Sequence, residues 1–158
     1  MNTREFGRLV GAIVIPELIG VAGGLITYPA VQTWYQTLRE PIFVPPDWIF
    51  GPVWTILYAL MGIASYLVAR EGMRAEGVRT ALRWYGIQLA LNLAWSIIFF
   101  GMHAIGFALI CIAALWVSII ATIVSFAHVS RAASWLLAPY AIWVSFAALL
   151  NYAFWILN

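Results

Sequence analysis

The sequence predicts an all-α integral membrane bundle of five transmembrane helices, and three observations carry that prediction. Of the 158 residues, 65% are hydrophobic and only 9% charged, against about 25% charged in a soluble domain. Five apolar stretches, residues 7–28, 46–69, 81–101, 104–129 and 134–157, are each long enough to cross a hydrocarbon core of about 30 Å. No run alternates apolar and polar residues as a barrel strand does. In lipid every backbone N–H and C=O needs an internal partner, which leaves helices.

The first stretch follows a basic start containing Arg4 and Arg8, as a signal peptide would. Its full-span length, the Pro16-Glu17 pair and the lack of an A-x-A cleavage site predict a retained helix instead. An aromatic loop, 29–45, comes next. Pro41, Pro45 and Pro46 fix φ and lack N–H donors, so the loop is stiff and not helical. Pro46 suits the first helical position, with Asp47 in the positive first turn. Trp54, Tyr58 and Met61 then recur on one face of the second helix, and Gln88, Asn92, Trp95 and Phe99 form a stripe on the third. Tyr140, Trp143, Ala147, Leu150 and Asn151 do the same on the fifth, which Pro139 is expected to bend near its start. Small residues, Gly20-x-x-x-Gly24 on the first helix and Ala114, Ser118, Thr122 and Ser125 on the fourth, mark close helix contacts. The chain reads as one domain, 1–158. It shows no internal repeat, and an odd helix count argues against a two-half duplication.

Charge and cysteine exclude several classes. The net charge of +2 comes from scattered arginines with no lysine, so no basic stripe exists and nucleic acid is not an expected partner. The lone Cys111 rules out an intrachain disulfide framework and a thiolate cluster. His103 and His128 fall at opposite membrane boundaries, so neither haem ligation nor a metal site is expected, and no cofactor is required. Arg4, Arg8, Arg70, Arg74, Arg79, Arg83 and Arg131 lie on one side of the bilayer and only Arg39 on the other. That asymmetry predicts a cytoplasmic N-terminus, in a bacterial-type cell membrane rather than a mitochondrial outer membrane.

Most of the nine tryptophans read as boundary anchors: Trp34, Trp48 and Trp155 at one face, Trp84 and Trp135 at the other. Trp116 reads as packing or lipid-facing rather than binding. Trp54, Trp95 and Trp143 sit well inside their spans. At 1.5 Å of rise per residue, Trp54 and Trp95 lie roughly 12 Å below the loop-side face, and Asn92 and Trp143 roughly 15 Å. Amides at such depth either glue helices or face a cavity. Three indoles, a tyrosine and amides at one level favour a cavity for a planar, largely apolar ligand. Glu17, near the middle of the first span, is a functional candidate or a carboxyl hydrogen-bonded to a neighbouring helix.

The pattern W-Y-x-x-L-x-x-P-x-x-x-P-P-x-W-x-x-G-P-V-W-x-x-L-Y at Trp34–Tyr58 resembles the signature of the tryptophan-rich sensory protein family, which includes the mitochondrial translocator protein or peripheral-type benzodiazepine receptor. The likeness continues through Gln88-Leu-Ala-Leu-Asn92-x-x-Trp95, Phe99-Phe100-Gly101 and Pro139-Tyr140-x-x-Trp143-x-x-Phe146 to Leu150-Asn151-Tyr152. The resemblance implies a five-helix bundle, usually a homodimer, with a pocket beneath the first loop for porphyrins such as protoporphyrin IX and related planar ligands. Carried over, the pocket comprises Trp54, Tyr58, Asn92, Trp95, Trp143 and Ala147, closed by Trp34 and Pro45; Gln88 and Asn151 join them from the amide stripes. The family's sterol motif is incomplete, with Ile156 where its arginine would stand, so sterol binding is not expected. Three readings stay open: a receptor or translocator for tetrapyrroles, an enzyme degrading porphyrin in light through Trp54 and Trp143, and a structural or regulatory module without a ligand. No conventional catalytic machinery is visible.

Overall fold

A computed structural model describes residues 2–158. Helix α1 spans Thr3–Gln32, α2 Phe50–Ala69, α3 Val78–Ser96, α4 Ile105–Val129, α5 Arg131–Leu136 and α6 Ala138–Leu157, with no strand among the described residues. The short α5 and α6 together make the fifth of five spans long and apolar enough to cross a membrane.

The helix ends depart from the sequence expectation where capping chemistry intervenes. The first helix, expected over 7–28, starts at Thr3 because Asn2 and Glu5 form a capping box: the Glu5 amide donates to Asn2 Oδ1 at 2.9 Å and the Asn2 amide to Glu5 Oε2 at 3.2 Å. At its other end it runs through Pro29 to Gln32, so the loop expected from 29 begins at Thr33. A proline there removes one backbone bond, while the freed end is tied by Thr33 Oγ1, which donates to the Pro29 carbonyl at 2.9 Å. Helix α3 begins at Val78, not 81, after Gly77 turns the chain with a left-handed φ of 79°. It leaves α geometry in a π-turn at Ile97–Gly101, where the Met102 amide donates five residues back to the Ile97 carbonyl at 2.8 Å. The fifth span is broken rather than bent. Helix α5 ends at Leu136, and Pro139 falls in the first turn of α6, where its missing N–H costs nothing.

Helix α1 lies along α2, α3 along α4, α6 along α4 and α5 against α2, while α6 stands off from α1, α2 and α3. The solid core sits at the arginine-bearing end. Met61, Ala64 and Val68 of α2, Val78 and Ala81 of α3, Ile119 and Phe126 of α4, and Ala133 of α5 are all 0% exposed. Gly62 lets α1 touch α2 backbone to backbone: a Cβ there would fall 2.5 Å from Ile13 Cα and 2.7 Å from the Ala12 carbonyl oxygen. Among the small residues of α4, Ser118 and Thr122 are buried and return their hydroxyls to carbonyls of their own helix, whereas Ala114 faces outward.

Candidate functional site: an aromatic cavity in the loop-side half

Where α6 stands off, the loop-side half of the bundle encloses a cavity of about 620 Å³, within the range typical of small-molecule sites. Phe50, Trp54 and Tyr58 of α2 form one wall, Asn92, Trp95, Phe99 and Phe100 of α3 and its π-turn the second, and Trp143, Ala147 and Asn151 of α6 the third. The widened turn at Ile97–Gly101 lets the consecutive Phe99 and Phe100 both border the space. The fourth wall is α1, and it is nearly bare, formed by Gly20, Gly23, Gly24 and Thr27 with Glu17 below and Tyr28 above.

The rings are held by one another and by amides. Trp54 stacks on Tyr58 with centroids 5.3 Å apart and meets Tyr140 edge-on at 6.2 Å. Trp95 stacks on Phe99 at 5.3 Å, and Trp143 stands edge-on to Phe50 at 5.7 Å. Beneath them a polar chain crosses three helices. Tyr58 Oη donates to Asn92 Oδ1 at 2.7 Å, Asn92 Nδ2 to Tyr140 Oη at 3.1 Å, and Tyr140 Oη to Gln88 Oε1 at 2.8 Å. Asn151 holds the adjoining wall: its Oδ1 accepts from Trp95 Nε1 at 2.9 Å while its Nδ2 donates to the Ile105 carbonyl at 3.0 Å. The amides thus serve both as interhelical glue and as supports that fix the aromatic walls. Trp143 Nε1 is buried without a partner among the described residues.

Of the residues singled out from sequence, Trp54, Tyr58, Asn92, Trp95, Trp143, Ala147 and Asn151 border the cavity. Gln88 does not. It lies fully buried under the floor, 1% exposed, where it anchors Tyr140. Trp34 and Pro45 do not border it either. Trp34 is stacked on His103 at 4.2 Å and edge-on to Phe99 at 5.8 Å, behind the wall. The loop residue that does reach the cavity is Tyr35, packed on Phe154 at 5.2 Å. Burial, with Glu40 and Asp47 adding to it, pushes the Tyr35 phenol above its ordinary range. The loop is clasped farther out by Asn158, whose Oδ1 accepts from the Arg39 amide at 2.9 Å and whose Nδ2 donates to the Arg39 carbonyl at 3.2 Å.

The sequence reading singled out Glu17 but did not place the α1 wall at the site. Its signal was the Gly20-x-x-x-Gly24 pair, read there as helix–helix contact. Only Gly20 is pressed hard, since a Cβ would fall 2.6 Å from Cδ2 of Tyr58, while Gly24 meets nothing within 4 Å. Glu17 stands outside the Tyr58–Asn92–Tyr140–Gln88 chain. The lining residues that are surface-exposed, among them Val21, Gly24, Tyr28, Trp48, Gly51 and Thr55, all belong to α1, to the short turn at Asp47–Ile49 or to the start of α2. The cavity therefore opens sideways along that seam.

Fold and site together define a multi-pass membrane protein, packed solid at one end and hollowed into an aromatic chamber at the other. The chain belongs to the TspO/MBR family, whose pattern its residues 12–156 match. It is 43% identical over 151 residues to the tryptophan-rich protein TspO of Archaeoglobus fulgidus, covering 96% of this chain and 97% of that one. It is 37% identical to the protein CrtK of Rhodobacter capsulatus, covering 87% and 84% of the two chains. With the translocator protein of Homo sapiens it shares 40% identity over 92% of this chain and 87% of the relative.

Proposed function

We propose that the protein is a membrane receptor or translocator for tetrapyrroles, with protoporphyrin IX as the representative ligand, and that its arginine-bearing end faces the cytoplasm. The observation that supports this reading is the chamber of about 620 Å³ with an indole on three of its walls. Flat π-surfaces at fixed orientation favour a flat π-guest, because stacking adds to the area it buries. The names of two relatives, translocator protein and tryptophan-rich sensory protein, agree with a receptor or transport role. Titration with protoporphyrin IX is expected to quench the indole fluorescence saturably and to raise the melting temperature in detergent, by about 2.7 kcal/mol of stabilisation at a hundredfold excess over Kd. Trp143→Ala is expected to weaken both effects strongly. Linear, non-saturating quenching with an unmoved melting temperature would sink the reading and leave a module without a small-molecule ligand.

A second reading, light-dependent degradation of bound porphyrin, is favoured by the Trp54–Tyr58 stack on the cavity wall, a pair of oxidisable rings in contact. Illumination should then bleach the porphyrin band faster with protein than without, and Trp54→Phe should slow it. Equal bleaching rates would dispose of this activity without touching the binding proposal.

A further inference from the structure

We propose that Glu17 is the specificity-determining residue of the cavity floor, and that it selects flat apolar guests carrying a cationic or N–H donor group at one edge. This rests on the reading that the cavity holds planar guests.

The placement comes from the helix register. The deepest lining residue of each wall is Tyr58 on α2, Asn92 on α3, Trp143 on α6 and Glu17 on α1. Gly20 abuts the Tyr58 ring, and Glu17 lies one turn below Gly20, about 4.5 Å farther from the loop. Glu17 therefore stands at the lower end of the chamber, near the middle of its span, half-buried and on the same α1 stripe as the seam residues Val21, Gly24 and Tyr28. Of the other floor residues, Tyr58 and Asn92 are committed to each other, and Asn92 also to Tyr140, while Trp143 Nε1 is a donor without a partner among the described residues. Glu17 takes no part in that chain.

The charge balance points the same way. Glu17 and Asp47 are the only charged side chains among the described residues that line the cavity, and no arginine or histidine borders it. Asp47 lies exposed at the mouth, in the first turn leading into α2. A carboxyl group at membrane depth calls for a partner, and in a low-dielectric chamber a guest cation is a strong one. The faces of Trp54 and Trp143 add cation–π attraction to the same sign of charge. An anionic group on a guest is repelled from the floor and must lie at the mouth. A porphyrin would accordingly enter with its acid groups trailing.

The test compares three ring systems of similar size on the full chain in phosphatidylcholine nanodiscs, with empty nanodiscs as baseline. They are 9-aminoacridine (cationic at neutral pH), anthracene (neutral) and anthracene-9-carboxylate (anionic). A charge-assisted contact predicts that 9-aminoacridine binds roughly tenfold or more tighter than anthracene, with the carboxylate weakest. Glu17→Gln should reduce the cation-to-neutral ratio to within about twofold, whereas Asp47→Asn should preserve most of it. Equal Kd for cation and neutral ring in the unaltered chain overturns the proposal, whatever the variants do. So does a preference that survives Glu17→Gln. Saturable anthracene binding without charge preference overturns the role of Glu17 and leaves the cavity reading standing; no saturable binding of any of the three overturns both.

Discussion

The two ends of the bundle use the same helices and pack them in opposite ways. Toward the arginine-bearing end α2 presents Met61, Ala64 and Val68, all 0% exposed and part of one core cluster with residues of α3, α4 and α5. Toward the loop the same helix presents Gly51 and Thr55 to the outside and Trp54 to a void. Size and support account for the difference. Below, backbones meet through Gly62 and the facing side chains are fully buried. Above, α1 offers glycines, α6 stands away, and the large rings facing the space are braced by Asn92, Asn151 and one another. A void of that size usually collapses unless its lining is stiff. Here the bracing does that work, and the Tyr58–Asn92–Tyr140–Gln88 chain marks the boundary between the two regimes.

Mutations can break the contrast in order of expected size. Phe126→Ala empties a filled site in the packed half and should cost about 3–5 kcal/mol in a denaturant titration in micelles. Trp54→Ala, whose ring already faces the void, should cost less than half that. Equal losses would mean that the two ends do not differ in packing. Gly62→Val forces α1 away from α2 and should cost about 2–3 kcal/mol, since backbone rather than a movable side chain lies 2.5 Å from the new Cβ. Asn92→Leu cuts the boundary chain at two bonds and should cost about 1–2 kcal/mol. It should also loosen the walls, read as broader indole emission without loss of helix by circular dichroism. Asn158→Ala releases the loop clasp and should cost no more than about 0.5 kcal/mol. Its trace is local, a faster hydrogen exchange of the Arg39 amide.

The architecture was legible because span length and apolar content alone count the helices. The α2, α3 and α6 walls were legible for a related reason. Indoles and amides deep in a span are costly or conspicuous, so their periodicity carries information. What escaped the sequence is physical too. Glycines signal by absence, and the same Gly20–Gly24 run fits a tight crossing or a bare wall; in the structure Gly20 does the first and Gly24 the second. Gln88 and Asn92 share one stripe, and a single turn separates the buried anchor from the lining residue, finer than a depth estimate resolves. Helix ends shifted where context absorbed a proline, with Pro29 carried inside α1 past the expected loop start, and Pro139, expected to bend the fifth span, placed at a fresh helix start after Leu137. The π-turn at Ile97–Gly101 depends on a shifted hydrogen bond that the composition of the stretch does not betray.

The seam bordered by Val21, Gly24 and Thr55 gives the chamber a doorway that a soluble receptor lacks. On the proposed function, a guest dissolved among acyl chains meets this doorway without passing back through buffer. Occupancy then follows how much guest the bilayer itself holds, and oily molecules are enriched there about tenfold for each 1.4 kcal/mol of transfer free energy. Dose–response curves recorded at different lipid-to-protein ratios should coincide only when plotted against mole fraction in the membrane.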